Sequence, residues 1–281
     1  MSELAFVTPS SIAGVLEELA DPGAVLVGGG TSLALLARAG LIEPSRYVSV
    51  GGVAELHGIN LVGDTVVIGA ATTLRQLARE DQVQASLPAL AYAAGTVGNP
   101  RVRAVATLGG AICHGDPRQD VPPVLLAAGA ALRVASPRGS REIEIAEFYT
   151  GFMENLLEED ELVTAVVVPL SVGLRSGYLR FTPNSADDYP TVAAAVSVRT
   201  DDGGLVREAR LALGGVDATA VLATEAARAL IGGALDLDRI HAAAHLAAEH
   251  CEPTTDNRGS EEYKRAMIDV ILRRSLEALI A

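Results

Sequence analysis

Two glycine-bearing segments carry the residue types that could hold a phosphorylated ligand. In the first, Val25-Leu26-Val27 runs into Gly28-Gly29-Gly30 and then Thr31-Ser32-Leu33. Glycines let a backbone approach a phosphate closely, and a helix starting at Thr31 or Ser32 adds inward N–H groups and positive potential. The spacing is not the dinucleotide fingerprint of doubly wound folds. Its third glycine would fall at Leu33, and about 20 residues on, where an acid should hold a ribose, the chain reads Val48-Ser49-Val50. Nor does the loop end in the Gly-Lys-Ser/Thr of a P-loop. Alone, three glycines could equally be a permissive turn.

The second segment adds what the first lacks. Gly109 and Gly110 offer another close backbone approach, Thr107 a hydroxyl, and Asp120 a carboxylate beside a helix start. A diphosphate needs several N–H donors, and a ribose needs a carboxylate or hydroxyl acceptor. A chain that supplies both suits a dinucleotide better than a single phosphate.

Other reactive side chains read more plainly. His114 reads as a loop histidine making one hydrogen bond, not as a covalent attachment point or metal ligand. His241 and His245 have metal-binding spacing on a helix, but no third ligand stands near them in sequence. Asp187-Asp188 and Glu158-Glu159-Asp160-Glu161 read as solvated turns.

The elements that must position these groups follow from periodicity. Ser10 is expected to cap a helix whose Ile12, Val15, Leu16 and Leu19 share a face. A strand over 24–27 leads into the glycines, and a helix follows to about Ala39. Strands are expected over 47–50 and 66–68, and helices over 74–79 (behind Thr72-Thr73) and 87–94. From Gly95 to Asp120 there is little periodicity, which predicts a long irregular connection of the kind that carries function. Asp120-Val121-Pro122-Pro123 opens the next helix. Strands over 132–135 and 142–145 pair around Pro137-Arg138-Gly139, and a strand over 162–168 is closed by Pro169. Beyond residue 170, strands over 193–199 and 205–213 form a hairpin through Asp202-Gly203-Gly204. Helices over 219–230, 237–249 and 260–280 complete the chain, the last capped by Ser260 with Tyr263, Met267, Val270 and Ile271 turned inward.

Bulk properties narrow the classes. A formal net charge of −13 argues against a nucleic-acid surface. Lys264 is the only lysine, so backbone N–H groups are expected to hold any phosphate. Cys113 and Cys251 are too few for an iron–sulfur cluster or an all-cysteine zinc site. No basic-apolar-small leader and no apolar run near the roughly 20 residues of a membrane span are present, so the chain reads as cytoplasmic.

Four pieces, in order along nearly the whole chain, resemble the FAD-binding medium subunit of molybdenum hydroxylases, the xanthine and carbon monoxide dehydrogenase family. Gly28-Gly29-Gly30-Thr31-Ser32-Leu33 is similar to that family's A-G-G-x-S/D-L. Arg103-Ala104-Val105-Ala106-Thr107-Leu108-Gly109-Gly110-Ala111 resembles R-N-x-G/A-T-I-G-G-(S/N), and Gly115-Asp116-Pro117-Arg118-Gln119-Asp120 resembles A-D-P-x-x-D. Asp256-Asn257-Arg258-Gly259-Ser260-Glu261-Glu262-Tyr263-Lys264-Arg265 resembles D-x-R-A/G-S-x-E-Y-R-R.

The resemblance implies an α+β architecture. Its first part is the two-part FAD-binding fold shared with vanillyl-alcohol oxidases, over 1–170 (about 1–55 and 56–170). A smaller lobe of antiparallel sheet plus helices follows over 171–281. It also implies roles. Gly28, Gly29, Gly30, Thr31 and Ser32 would hold the FAD pyrophosphate, with Thr107, Gly109 and Gly110 on its other side. Asp120 would bond the ribose, Leu108, Leu162 and Val163 would line the flavin or adenine pocket, and Tyr189 would stack on the isoalloxazine. Two departures stand out. Ala111 replaces a hydrogen-bonding residue, and the family's cation-rich stretch is here Phe181-Thr182-Pro183-Asn184-Ser185-Ala186-Asp187-Asp188-Tyr189, predicting a loss of cations near the flavin.

The implied activity is electron transfer without a catalytic acid–base residue. A large molybdenum-cofactor subunit would oxidise substrate, a small [2Fe-2S] subunit would relay electrons, and FAD on this chain would pass them to an external acceptor. Two alternatives stay open from the sequence: a self-sufficient FAD oxidase or dehydrogenase of the same superfold, and a scaffold that binds no flavin. The first usually needs a larger substrate domain than the roughly 100 residues after Leu170.

Overall fold

Alternating short strands and helices open the chain, and strands so connected pair in parallel. The computed structural model describes residues 4–280. β1 (Ala5–Val7), α1 (Ile12–Glu18), β2 (Ala24–Val27), α2 (Thr31–Arg38) and β3 (Arg46–Ser49) form a parallel sheet in the order β1-β3-β2. Leu26 sits opposite Val48, which also faces Val7. Ser11, one residue later than expected, caps α1 by accepting from Gly14 N at 3.2 Å. Val15, Val48, Val53 and Leu56 build the small core of this unit.

The second unit begins with the hairpin β4 (Ile59–Val62) and β5 (Thr65–Gly69). Six short helices follow: α3 (Leu74–Arg79), α4 (Asp81–Ser86), α5 (Pro88–Thr96), α6 (Pro100–Val105), α7 (Leu108–Cys113) and α8 (Val121–Ala128). β6 (Ala131–Ser136), β7 (Gly139–Glu144), α9 (Ile145–Phe148), the ribbon β8 (Tyr149–Gly151) and β9 (Glu154–Asn155), and β10 (Leu162–Pro169) complete it. The antiparallel sheet runs β4-β5-β10-β6-β7, with Val166 between Ile68 and Leu132.

The expected irregular connection over 95–120 is instead built around two helices. Asn99 Oδ1 accepts from Arg101 N and Val102 N to start α6, and Thr107 Oγ1 accepts from Gly110 N to start α7. Each is six residues long, too short to show a helical period. The acidic run also departs from expectation at one residue. Glu161 is 5% exposed and holds Arg141 through both carboxylate oxygens, at 2.8 and 2.6 Å.

The last unit is a meander, β11 (Leu174–Phe181), β12 (Val192–Thr200), β13 (Val206–Gly214) and β14 (Val221–Leu222), followed by α10 (Thr224–Leu230), α11 (Leu237–His250) and α12 (Glu261–Glu277). β12 is buried on both faces. Ala193 and Ala195 join the core of the second unit, while Val192, Ala194, Val196 and Val198 pack with the C-terminal helices. That explains its apolar run from Val192 to Val196. α12 turns inward along Lys264, Ile268, Ile271, Leu272 and Leu276. Of the four residues expected there, Ile271 is buried, Met267 and Val270 are half-buried, and Tyr263 is 42% exposed. The buried stripe includes Lys264, whose ammonium finds Thr254 O and Asp256 in the segment before the helix. Among the described residues no helix is long and apolar enough to cross a membrane.

Candidate functional site

The two glycine segments meet in space. β2 runs directly into Gly28-Gly29-Gly30, and Gly30 caps α2 with φ +68°, a left-handed conformation that glycine adopts without strain. The opening N–H groups of such a helix have no partner within it. A Cβ on Gly28 would stand 2.4 Å from Thr107 Oγ1, and one on Gly29 only 2.0 Å from Val105 O. Gly109 is constrained less severely, since its Cβ would meet that of Ala70 at 2.9 Å. Gly28 and Gly29 therefore serve the contact between the segments as well as any ligand, and Gly109 serves the packing of α7 on Ala70.

The donors are divided unequally. Gly109 N–H is engaged by Ala70 O at 2.8 Å, Leu108 N–H by Thr72 O at 2.9 Å, and Gly110 N–H by Thr107 Oγ1 at 3.2 Å. The second segment thus offers an anion its surface and the Thr107 hydroxyl, while free backbone donors belong to the start of α2.

Between the segments lies a cavity of about 580 Å³, within the range typical of small-molecule sites (about 300–1,000 Å³). Gly28, Gly29, Gly30, Thr31 and Ser32 line it, as do Thr107, Gly109, Gly110, Asp120, Leu162, Val163 and Tyr189. Leu108 does not: its side chain is wholly buried in the central core. Leu35 and Leu36 do line the cavity, unforeseen from sequence. Their signal was a helix with no core to enter, since α2 has no buried residue and Leu35 is 65% exposed. Free N–H donors at one helix start, a hydroxyl, a carboxylate and leucine-rich walls fit an apolar ring system joined to a diphosphate and a ribose.

Asp120 stands at the start of α8 and is 4% exposed. Tyr178 Oη donates to its Oδ1 at 2.6 Å, and Arg180 Nε lies 3.2 Å from the same oxygen. Burial pushes the Asp120 carboxyl up to about 6, against the opposing pull of Arg180 and Tyr178. Both protein contacts use Oδ1, leaving Oδ2 for a ligand hydroxyl.

Residues 182–189 carry no cation of their own, but two arginines from elsewhere in the chain lie beside the Tyr189 ring. Its ring centroid lies 5.7 Å from the Arg118 guanidinium and 5.9 Å from that of Arg258. Asp188, expected in a solvated turn, is half-buried and paired with Arg258 at 2.6 Å. Sequence spacing could not reveal this, because Arg118 and Arg258 stand far from Tyr189 along the chain. Burial is the main cause raising the Tyr189 phenol above its ordinary value.

The remaining reactive groups are quiet. His114 lines the cavity, burial holds it below the usual imidazole value, and among the described residues its ring makes no hydrogen bond. Burial pushes the Cys113 thiol up to about 12. His241 lies 3.6 Å from Glu277, and His245 lies 3.5 Å from Glu249. Among the described residues no group of three or more His, Cys, Asp and Glu is disposed to hold a metal.

Comparison with known proteins agrees across both halves. Residues 2–171 match the family described as FAD binding domain in molybdopterin dehydrogenase, and residues 178–279 match the CO dehydrogenase flavoprotein C-terminal domain. The carbon monoxide dehydrogenase medium chain of Afipia carboxidovorans is 34% identical over 271 residues, 96% of this chain and 94% of that one. The xanthine dehydrogenase FAD-binding subunit of Escherichia coli O157:H7 is 31% identical over 278 residues, 97% of this chain and 94% of that one. Among solved structures, the carbon monoxide dehydrogenase of Hydrogenophaga pseudoflava lacking the Mo-pyranopterin moiety superposes with a TM-score of 0.95. It is 35% identical, and the match covers 98% of this chain and 96% of that one.

Proposed function

Because this chain belongs to the FAD-binding medium subunits of the molybdenum hydroxylase family, we propose that it is the flavin-bearing relay of an assembled cytoplasmic dehydrogenase. Its partners are a large molybdenum-cofactor subunit, where substrate is oxidised, and a small [2Fe-2S] subunit that delivers the electrons. The observation that carries this reading is the single cavity shared by both glycine segments, with Asp120 on its wall.

Residues 1–170 supply most of the site and residues 171–281 complete it. The N–H groups opening α2, with Ser32 and the Thr107 hydroxyl, bind the pyrophosphate. Gly28, Gly29, Gly30, Gly109 and Gly110 leave room for it. Asp120 Oδ2 accepts a ribose hydroxyl. Leu162, Val163 and the α2 leucines exclude water from the ring systems, and Tyr189 packs on the isoalloxazine. FAD held there would supply the redox chemistry that links the partner clusters to an external acceptor. The chain itself binds, orients and desolvates, and no side chain is required as an acid or base.

Purification from the native host tests this. Flavin, molybdenum and iron should comigrate with the chain through successive columns. A chain that purifies alone, without molybdenum or iron in its fractions, contradicts the assembly.

A further inference from the structure

Three arginines converge on one short segment of the cavity wall. Residues 187–189 lie between β11 and β12 and belong to neither strand. Arg180 donates to Asp188 O and, at 2.6 Å, to Thr96 O. Arg118, gripped by both oxygens of Asp116 at 3.0 Å, and Arg258 both lie within 6 Å of the Tyr189 ring centroid. Arg258 also places Nη2 2.6 Å from Asp188 Oδ1 and Nε 3.4 Å from Tyr189 O.

Arg258 is itself held from behind. Lys264, 3% exposed, puts Nζ 2.9 Å from Asp256 Oδ2 and 2.7 Å from Thr254 O. Asp256 Oδ1 then accepts from Arg258 N at 2.8 Å, and Asp256 N donates to Gly259 O at 3.1 Å. A buried ammonium is costly to leave unpaired, so Lys264 fixes the aspartate, and the aspartate fixes the turn. The turn presents Arg258, whose side chain is 13% exposed. A planar guanidinium can pair with a carboxylate and lie over an aromatic ring at once, which an ammonium cannot do as well.

We infer that Arg258 is a positioning residue of the FAD site: through Asp188 and Tyr189 it holds segment 187–189 against the cavity, so the C-terminal lobe helps set how the cofactor is held. This rests on reading the cavity as the FAD site. The depressed pKa of Asp188, caused chiefly by Arg258, agrees with a pair that is formed in the folded protein.

The test compares wild type with Arg258→Gln, Arg258→Lys and Asp188→Asn in the assembled protein stripped of flavin. FAD affinity is read by fluorescence titration, and ring placement by visible circular dichroism of the bound flavin. Arg258→Gln should weaken FAD binding about tenfold, the scale of one lost charge-assisted hydrogen bond, and alter the dichroism. Arg258→Lys should recover part of the affinity but not the wild-type dichroism. Asp188→Asn should match Arg258→Gln. Wild-type affinity and dichroism in Arg258→Gln overturn the role. If that variant does not fold, Asp188→Asn, which leaves the Lys264–Asp256 anchor intact, decides by the same readings. A wild type that takes up no FAD removes the site and this inference with it. A wild type that binds, with unaltered variants, removes the positioning role alone.

Discussion

Gly29 lies so close to Val105 that a Cβ on it would stand 2.0 Å from the Val105 carbonyl oxygen. This contact joins the strand-to-helix turn of the parallel sheet to the end of α6, and the cavity opens beside it. Gly29→Ala should therefore act as overpacking between two backbones, destabilising the chain by about 1–3 kcal/mol and weakening FAD binding at least tenfold. Gly51→Ala is the control, since its Cβ would meet nothing nearer than Ser49 Oγ at 3.7 Å. Thermal melts with flavin titration separate the two variants. Equal behaviour would remove the inter-segment contact as the reason for the glycine.

With Asp120 as the ribose acceptor proposed above, FAD binding should depend on pH. Its carboxyl is pushed up to about 6 by burial, and a ribose hydroxyl donates best to the ionised form. Affinity should fall as pH drops through about 6, and Asp120→Asn should flatten that dependence. The stability of the flavin-free chain has the opposite sign. With the folded pKa above the ordinary carboxylate value of 3.8, Asp120 stabilises fully below that value, and the contribution is lost as pH rises through about 6. Binding isotherms and melts across this window check both slopes.

Glu161 is expected to behave in the other sense. Its pairing with Arg141 holds the carboxyl below its ordinary value of 4.5. The contribution is present above that value and is lost as pH falls through the depressed one. Glu161→Gln should cost about 1–2 kcal/mol at neutral pH, measured by denaturant unfolding, with little effect on FAD affinity because the residue does not line the cavity.

Neither thiol should react in the native protein. Burial pushes Cys113 and Cys251 up to about 12, leaving almost no thiolate at neutral pH. Iodoacetamide followed by mass analysis should modify both only after unfolding. Native labelling of Cys113, which lines the cavity and is only half-buried, would show that its thiol ionises more readily than its surroundings imply.

The glycine segments were legible because their chemistry is local: Ala24–Val27 forms the strand read from sequence, and α2 begins at Thr31 as expected. The hairpin of β12 and β13 was legible from its turn glycines. α6 and α7 were not, because six-residue helices carry no period and announce themselves only through the caps Asn99 and Thr107. β11 was hidden because its Arg175, Ser176, Gly177 and Arg180 do not read as a half-buried strand. Arg118 and Arg258 beside Tyr189 depend on tertiary folding, which sequence spacing does not encode. Leu108 was placed at the site by its neighbours' chemistry, yet its own side chain follows its hydrophobicity into the core.

The most direct measurement is flavin content with and without the second glycine segment intact. Protein purified under native conditions should release FAD in equimolar amount on acid precipitation. Gly109→Leu, which drives a side chain into Ala70, should fold with its remaining cores but release almost none. A wild type that yields no FAD, and gains none on titration with excess cofactor, would contradict the account at its centre.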